Sequence, residues 1–385
     1  MKIIETSGLP ILSWCNEPEA GALEQARNIA QLPFAYHHVA LMPDTHQGYG
    51  MPIGGVLALE DTVIPNAVGV DIGCGMLACQ TTLQHITADE IKQIMGLVRQ
   101  HVPVGFNHRK TPLPLDLPPE NATIANAEYQ SARHQLGTLG GGNHFIEIQR
   151  GNDGHIWFMI HSGSRNIGKK VCDHYNALAK RFNKQRQSDV PPKWDLASLP
   201  VDTEEGKAYI AEMDYCQQFA LRNREVMAAH ICEAFNQICG AGIFDSQLLT
   251  YNIHHNYASP EHHFGKDIWV HRKGATSARA GEMGIIPGSQ GTKSYIVRGL
   301  GNANSFCSCS HGAGRIMGRK EAQRRLSLAD EVRHMDERGI IHGLRSVRDL
   351  DEAAGAYKDI DLVMAEQADL VEIVVELTPL GVIKG

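Results

Sequence analysis

The sequence predicts a mixed α/β (α+β) protein, a single large body of mixed β-sheets with surrounding helices. Three observations support this prediction. The 385 residues, 43% hydrophobic and 21% charged, suffice for a large core. Short β-rich runs alternate with segments of helical periodicity. No internal repeat, low-complexity tract or linker divides the chain, so residues 1–385 are expected to form one domain.

Five segments carry helix signals. Residues 19–31 are amphipathic, and Thr87 is a typical N-cap for the periodic segment that follows it. Residues 206–239 contain the longest apolar stripe with helical spacing, which is typical of a core-facing helix. Near the C-terminus we expect one helix near 320–336 and another near 361–370.

Strand and loop signals separate these helices. A strand is expected at 55–60, and the runs HFIEI and HIWFMIHSGSR each place a β-rich stretch beside a histidine. The proline-rich segment 103–119 is predicted to be a surface loop, and the polar segment 187–205 an excursion from the body.

Composition restricts the functional classes. The net charge of −7 argues against indiscriminate coating of nucleic acid, although basic residues cluster at 169–186 and 315–325. Each cluster fits either a solvated helix face or a local groove for an anionic polymer. The N-terminal segment lacks the apolar core of a signal peptide, and no run is long enough to span a membrane. Nine scattered cysteines without a CxxC pair are typical of reduced thiols, so a cytoplasmic location is expected.

The segment NAVGVDIGCGM, residues 66–76, indicates a metal site. Asp71 and Cys74 stand three residues apart among glycines, so a turn could direct both side chains to one point. A buried carboxylate beside a thiol is costly unless a positive charge lies between them.

Histidines in Gly- or Ser-rich contexts are the candidate partners of this pair. They are His144 in GGGNHFIEI, His161 in FMIHSGSR and His255 in IHHNY. Each alone fits a structural histidine, but together with Asp71 and Cys74 they suffice for one metal or a close pair. Thiolate is a soft ligand, so ligand chemistry alone favours zinc.

Two further segments suit phosphate chemistry. The loop GIIPGSQGTKS, residues 284–294, could converge backbone N–H groups on phosphate oxygens, although it is not a P-loop. In CSCSHGAGR, His311 fits either a helix N-terminus capped by Ser310 or a nucleophilic histidine in an anion-binding turn.

These pieces together resemble one family, the RtcB-type RNA ligases. The resemblance extends over nearly the whole chain, through MPDTHQGYGMPIGGV, AVGVDIGCGM, LGTLGGGNHFIEI, HSGSRNIG, HHNY, RKGATSARAGEMGIIPGSQGTKSYIVRGLGN, FCSCSHGAGR, AYKDIDLVM and the terminal KG. It implies an RtcB-like fold and a GTP-dependent, manganese-dependent enzyme. That enzyme would join a 3′-phosphate or 2′,3′-cyclic phosphate RNA end to a 5′-hydroxyl end, in tRNA splicing or RNA repair.

The resemblance also assigns roles to residues. His311 matches the histidine that forms a covalent intermediate with GMP. The ligands of two Mn(II) ions would be Asp71, Cys74, His144, His161 and His255, with Cys74 bridging, which replaces the expectation of zinc. The positions that match guanylate contacts are Asn143, His144, Glu147, His255, Asn256, Pro287, Gly288, Ser289, Gln290, Ser294, His311, Gly312, Ala313, Gly314, Tyr357 and Lys384.

Arg165 in HSGSR and Arg315 in HGAGR are the candidates for holding the RNA phosphate. Asp44 and His46 are expected to support the site or to face the RNA. The partner is RNA with the stated ends, with no membrane and with an accessory repair or release factor left open. A metal-dependent phosphoesterase that acts on RNA ends without nucleotide is the alternative, and it would leave His311 and Lys384 unused.

Overall fold

Two large β-sheets organise the part of the chain that the computed structural model describes, residues 1–245 and 248–385. Helices pack around them, which confirms the mixed α/β prediction. The strands are β1 (Lys2–Ile4), β2 (Ile11–Ser13), β3 (Ala35–His46), β4 (Ile53–Leu59), β5 (Thr62–Val63), β6 (Gly75–Gln80), β7 (Phe145–Gly151), β8 (Ile156–Ser162), β9 (Leu199–Pro200), β10 (Thr250–His254), β11 (Asn256–His263), β12 (Lys266–Lys273), β13 (Ala275–Ser277), β14 (Met283–Ile286), β15 (Ser294–Gly299), β16 (Ser308–Ser310) and β17 (Val371–Lys384).

The helices differ widely in length. Short 3₁₀ turns occupy 192–194, 303–305, 347–352 and 354–356. The α-helices are α1 (Ala20–Ile29), α2 (Pro65–Val68), α3 (Ala88–His101), α4 (Thr123–Gln135), α5 (Arg165–Gln185), α6 (Glu204–Cys239), α7 (Arg319–Arg325), α8 (Leu328–Glu337) and α9 (Ile360–Glu366).

The sheets bring together strands that are far apart in sequence. One has six strands in the order β1-β2-β3-β4-β12-β11, and the other has seven in the order β10-β6-β8-β7-β17-β15-β14. Two small ladders, β13-β16 and β5-β9, complete the sheets of the described residues. Because β6, β7, β8 and β10 are neighbours, the segments at their ends are brought to one region.

Alternation along these strands divides the core. Leu77 on β6 and Phe158 on β8 pack on the same side as Phe235 of α6, in one buried cluster. Their neighbours in sequence, Met76 and Met159, belong to a separate cluster. Successive strand residues point to opposite faces, so both faces of the seven-stranded sheet are buried at β6 and β8.

The structure confirms the helices expected at 19–31, after Thr87 and at 206–239. The Thr87 hydroxyl accepts from the Glu90 amide and the Glu90 carboxylate accepts from the Thr87 amide, which forms a capping box. The helix near 320–336 is wrong as a single element. Leu326 adopts an extended conformation and Ser327 caps a new helix, so α7 and α8 are separate. The last helix is shorter than expected and spans Ile360–Glu366.

The segments expected as loops behave differently from each other. Residues 103–119 contain no helix or strand, and Phe106 and Leu117 are exposed. Within 187–205, Leu196 and Leu199 are buried, and β9 pairs with β5. The basic run 169–186 forms most of α5. None of the helices in the described ranges is long and apolar enough to cross a membrane.

Candidate functional site

The turn between α2 and β6 presents Asp71 and Cys74. Gly69 and Gly73 have φ of 95° and 71°, values that suit glycine. A Cβ on Gly75 would lie 1.9 Å from the Ile253 carbonyl oxygen, so close packing against β10 requires glycine there. These glycines therefore allow the turn to place the carboxylate and the thiol together against the seven-stranded sheet.

Three histidines reach this turn from the ends of neighbouring strands. His144 precedes β7, His161 lies near the end of β8, and His255 connects β10 to β11. The Nδ1 atoms of His144 and His161 lie 3.0 and 3.1 Å from the carbonyl oxygens of Leu139 and Asn143. The Asn143 carbonyl only accepts, so His161 Nδ1 carries the proton and its Nε2 offers a lone pair. His144 Nε2 lies 3.0 Å from the Asp71 carboxylate, so a metal ion held by both would require the His144 proton on Nδ1, toward Leu139.

The five side chains form two overlapping groups that share Cys74. One group is Cys74, His161 and His255, and the other is Asp71, Cys74 and His144, with all ligand atoms within 4.8 Å of one another in each group. The Cys74 Sγ lies 3.3 Å from His161 Nε2 and 3.5 Å from His144 Nε2. We call these five residues the ligand cluster. The geometry brings together all five predicted ligands, with the thiol at the junction.

The electrostatics of the ligand cluster suit a cation. Burial lowers the pKa of the three imidazoles, which therefore stay neutral and able to coordinate. Burial, together with the Asp71 carboxylate, raises the pKa of the Cys74 thiol well above its usual value. A thiol ligand must lose its proton, and a bound metal ion supplies the positive charge that makes this favourable.

His311 lies beside the ligand cluster, with its ring centroid 4.8 Å from that of His255. Its Nδ1 is 2.6 Å from the Asp44 Oδ2, which also accepts the His311 backbone N–H at 3.1 Å. Asp44 is fully buried on β3, and its carboxylate fixes the ring so that Nε2 faces away from it. His46 stays nearby, with Nδ1 2.9 Å from the Asp44 carbonyl oxygen.

The alternative of a helix start at His311 is wrong. Ser310 is the last residue of β16, and the next helix begins at Arg319. The Ser310 hydroxyl accepts from the Gln367 side-chain amide at 2.6 Å instead of capping a helix. His311 therefore sits in a turn between a buried strand and a glycine-containing segment.

The GIIPGSQGTKS loop lies beside this turn. It joins β14 to β15, and a Cβ on Gly312 would come within 3.3 Å of the Pro287 carbonyl oxygen. Within the loop, the Gly288 amide donates to Ser294 and the Ser289 amide to Thr292. The Gln290 side chain donates to the Glu352 carbonyl oxygen, Ala313 is buried, and Gly314 packs against the Asp44 backbone.

Other predicted nucleotide contacts border the ligand cluster. Lys384 at the end of β17 donates to the carbonyl oxygens of Gly142 and His144, and burial lowers its pKa to about 8. Burial raises the pKa of Glu147 to about 8, and Gln149 donates to its carboxylate. The Asn256 side chain is occupied, since it donates to the Asp71 carbonyl and accepts from the Gly274 amide. Asn143, which precedes His144, is partly exposed.

The two predicted phosphate-binding arginines have different surroundings. The Arg165 guanidinium lies 3.2 Å from His144 Nδ1, and its Nε is buried with no hydrogen-bond partner among the described residues. A Cβ on Gly140 would come within 1.8 Å of this guanidinium, so glycine is required for the arginine to fit. Arg165 itself has φ of 60°, an uncommon conformation for a non-glycine residue.

Arg315 instead belongs to a network of charges around Glu352. It donates to the Glu352 carboxylate at 2.6 Å and to the Asp351 carbonyl, while Arg319 binds the other Glu352 oxygen at 2.6 Å. The Tyr357 hydroxyl donates to Glu352, and the Arg315 guanidinium lies 4.9 Å from the centre of the Tyr357 ring. We call Glu352, Arg315, Arg319 and Tyr357 the Glu352 cluster.

Comparison with known proteins identifies the family. The family model described as tRNA-splicing ligase RtcB matches residues 25–118 and 116–385. The chain belongs to the RtcB family. It is 39% identical to the RNA-splicing ligase RtcB of Escherichia coli K12, over 100% of this chain and 99% of that protein. It is also 34% identical to the tRNA-splicing ligase RtcB of Thermococcus kodakarensis, over 94% of this chain and 91% of the relative.

Similarity within the RtcB family extends to eukaryotes. The chain is 31% identical to the RNA-splicing ligase RtcB homolog 1 of Entamoeba histolytica, over 95% of this chain and 84% of that protein. These matches confirm the family inferred from the sequence motifs.

Sequence reasoning missed several residues that support the site of this RtcB-family chain. Arg224 on α6 is fully buried and donates to the carbonyl oxygens of Gly73 and Ser162, which tie the ligand turn to the end of β8. Its neighbour Asn223 donates to Ser162 as well. The adjacent polar residues Asn223 and Arg224, within the apolar stripe of α6, are the signal that could have indicated this role. No local pattern points to Glu352.

Proposed function

We propose that this chain is a GTP-dependent RNA ligase that uses two Mn(II) ions. It would join 3′-phosphate or 2′,3′-cyclic phosphate RNA ends to 5′-hydroxyl ends through a guanylylated His311. The observation that carries the proposal is the Asp44–His311 pair, at 2.6 Å, beside a five-residue ligand cluster.

The Asp44 carboxylate prepares His311 as a nucleophile. It accepts a hydrogen bond from the Nδ1–H group, which keeps the ring proton on Nδ1 and the lone pair on Nε2. Attack of Nε2 on the α-phosphate of GTP would form an N–P bond and break the bond to pyrophosphate, which leaves with its electron pair. The imidazole gains positive charge in this step, and the buried Asp44 carboxylate stabilises it.

The ligand cluster fits a pair of divalent ions. Asp71 and His144 on one side, and His161 and His255 on the other, with Cys74 common to both, would each hold one ion. When bound, such ions supply Lewis-acid polarisation of phosphate oxygens. A carboxylate, three imidazoles and a thiol suit several divalent metals, so manganese rests on the resemblance to the family.

Later steps use the cations next to the cluster. Arg165 would hold an RNA phosphate beside His144, which is supported by its buried Nε, for which no described residue is a hydrogen-bond partner. The RNA 3′-phosphate would take GMP from His311, and the 5′-hydroxyl would then attack that activated phosphate and expel GMP. A cyclic phosphate would first be hydrolysed at the same site to the 3′-monophosphate.

The guanylate would lie between the His311 turn and the GIIPGSQGTKS loop, which pack against each other. The residues proposed to contact it are Asn143, Glu147, Asn256, Pro287, Gly288, Ser289, Gln290, Ser294, Gly312, Ala313, Gly314, Tyr357 and Lys384. Access to Tyr357 and release of Arg315 for RNA would require the Glu352 cluster to rearrange, since each is engaged there.

The partner is RNA, in tRNA splicing or in repair, inside the cytoplasm, and an accessory release factor is a further proposed partner. The relatives named as RNA-splicing or tRNA-splicing ligases support this proposal.

Labelling with α-labelled GTP and manganese tests the central step. Wild-type protein should retain label after denaturation, and His311→Ala should not. Metal content is measured in both proteins, with His262→Ala as a control because His262 is an exposed histidine away from the cluster. Metal-loaded wild type that takes up no label would contradict the ligase proposal and favour a nucleotide-independent phosphoesterase.

A further inference from the structure

Phe106 is a large aromatic side chain that the fold leaves fully exposed, at 101% relative accessibility. Two other aromatic residues of the described ranges are strongly exposed, Tyr49 at 77% and Phe264 at 39%. The Phe264 ring is stacked on His37 with centroids 3.8 Å apart, whereas no ring contact involves Phe106 among the described residues. Covering an apolar ring with a flat partner removes its surface from water, which lowers the free energy.

The position of Phe106 places it at the border of the site. The Gly105 amide donates to the Gly140 carbonyl at 2.9 Å, and the Leu139 amide donates to the Pro103 carbonyl at 2.9 Å. Gly140 is the residue whose Cα lies against the Arg165 guanidinium. Consecutive Cα atoms are about 3.8 Å apart, and Phe106 directly follows Gly105, the residue bonded to Gly140. Phe106 is therefore one residue away from the segment that contacts Arg165.

The loop around Phe106 is held in place by its own contacts. The Arg109 side chain donates to the Leu136 and His101 carbonyl oxygens at 2.9 and 3.0 Å. The Asn107 side chain donates to the Val104 carbonyl at 3.1 Å. The backbone on both sides of Phe106 is therefore anchored, so little conformational freedom would be lost when a ligand covers the ring.

The charges near this edge favour an anionic partner. Arg165 lies on Gly140, and a Cβ on Gly142 would come within 3.0 Å of Arg319. Arg319 shares the single Glu352 carboxylate with Arg315, so this pair of arginines retains a net positive charge. Lys384 also donates to the Gly142 carbonyl. An exposed aromatic ring next to clustered cations is the arrangement by which proteins bind single-stranded nucleic acid, with a base on the ring and phosphates on the cations.

We infer that Phe106 is a stacking platform for an unpaired base of the RNA end whose phosphate lies at Arg165. This inference rests on the proposed ligase function and adds a base-binding position to it. Stacking tolerates every base, so the position would favour single-stranded ends over paired ends without selecting a sequence.

The test compares Phe106→Ala, Phe106→Trp and Leu117→Ala in steady-state ligation. Leu117 is the matched control, because it is an apolar residue of the same loop and its side chain is 74% exposed. The backbone before it is also anchored, since the Leu115 carbonyl accepts from the Tyr129 hydroxyl and the Asp116 carbonyl accepts from the Tyr215 hydroxyl. The labelled His311 fraction is measured first in each protein and gives the number of active molecules.

Phe106→Ala should raise the KM for RNA about tenfold, within the range found when a base-stacking aromatic residue is removed. Phe106→Trp should retain the wild-type KM, and Leu117→Ala should change it less than twofold. The decisive substrates carry an abasic site at one of the two nucleotides nearest the joined ends. At the stacked position the abasic substrate should raise the wild-type KM and remove the difference between wild type and Phe106→Ala.

An equal KM for wild type and Phe106→Ala on every substrate would overturn the inference and leave Phe106 to a protein partner. A loss in Phe106→Ala that persists on all abasic substrates would also overturn it. Failure of the proposed function looks different, because wild-type protein would then not join RNA at all.

Discussion

The ligand cluster and the Glu352 cluster each surround a carboxylate, but the two carboxylates have different partners. In the Glu352 cluster one carboxylate binds Arg315 and Arg319, each at 2.6 Å. In the ligand cluster a carboxylate, a thiol and three imidazoles converge with Arg165 as the nearby cation. In the first region the carboxylate is fully engaged by cations of the chain, whereas the second gathers five potential ligand atoms in an arrangement that suits a cation from outside.

The largest expected effect removes one ligand. His161→Ala should eliminate one of the two groups that share Cys74, with loss of bound metal. Ligation should fall about 10³-fold, since a Lewis-acid ion supplies several kcal/mol of transition-state stabilisation. Metal analysis and single-turnover ligation measure this, beside His262→Ala. A His161→Ala protein with full metal and normal rate would remove the distinction between the two clusters.

The next largest effect is expected for Asp44→Asn, a variant that tests the His311 nucleophile independently of the ligand cluster. The amide cannot accept the Nδ1 proton as a carboxylate does, so His311 loses its preferred tautomer and orientation. We expect the guanylylation rate to fall about 10²- to 10⁴-fold, as in other histidine–aspartate pairs. Metal content should not change, and a parallel loss of metal would show that Asp44 acts on the cluster instead.

Glu352→Gln tests whether the ion pairs of the Glu352 cluster stabilise the fold without a bound metal. Two arginines would lose their carboxylate partner, and the free energy of unfolding should fall by about 2 kcal/mol. This is less than the cost of breaking a fully buried ion pair, because Arg319 is exposed and solvent screens its charge. Chemical denaturation of the metal-free protein measures it. Glu376→Gln is the control, because Glu376 forms an exposed pair with Lys293 and should cost less than about 1 kcal/mol.

The stability difference between wild type and Glu352→Gln should depend on pH. Burial alone would raise the pKa of Glu352, but Lys384, Arg315 and Arg319 outweigh burial and lower it. A carboxylate whose pKa is lower in the folded than in the unfolded state stabilises the folded state at pH values above the unfolded pKa, which is about 4.3 for glutamate. This contribution is lost as the pH falls from there through the folded pKa. The stability difference between wild type and Glu352→Gln should therefore be constant near neutral pH and shrink below about pH 4.

The smallest expected effect lies outside both clusters. Thr87→Ala removes the capping box of α3 and should cost about 1 kcal/mol of stability. Neither metal content nor ligation should change, so this variant calibrates what purely structural damage does. A ligation loss as large as that of His161→Ala would mean that stability, and not site chemistry, controls the assays.

Much of the site could be predicted because its potential ligands and turns lie in short, recognisable segments of the sequence. The ligand types, the glycines around Asp71 and Cys74 and the histidines in glycine- or serine-rich segments are visible in short stretches. The helices at 88–101 and 204–239 were predictable for the same reason, since a cap and a 3.6-residue period are local signals. The break at Leu326 was not, because Ser327 starts α8 within a stretch of helix-forming residues.

The sequence by itself determined the types of the potential metal ligands, the glycine-containing turns that carry them and the family. Only the tertiary structure decided which side chains meet. Asp44 and His311 are 267 residues apart, and Arg315 and Glu352 are 37 apart. The first contact depends on how the strands and the turns that follow them assemble, and the second on how the segment after α8 folds back. Residue patterns specify which face of a strand a side chain occupies, but long-range packing determines its partners. Among the described residues, packing leaves the Arg165 Nε without a hydrogen-bond partner and pairs Arg315 with Glu352.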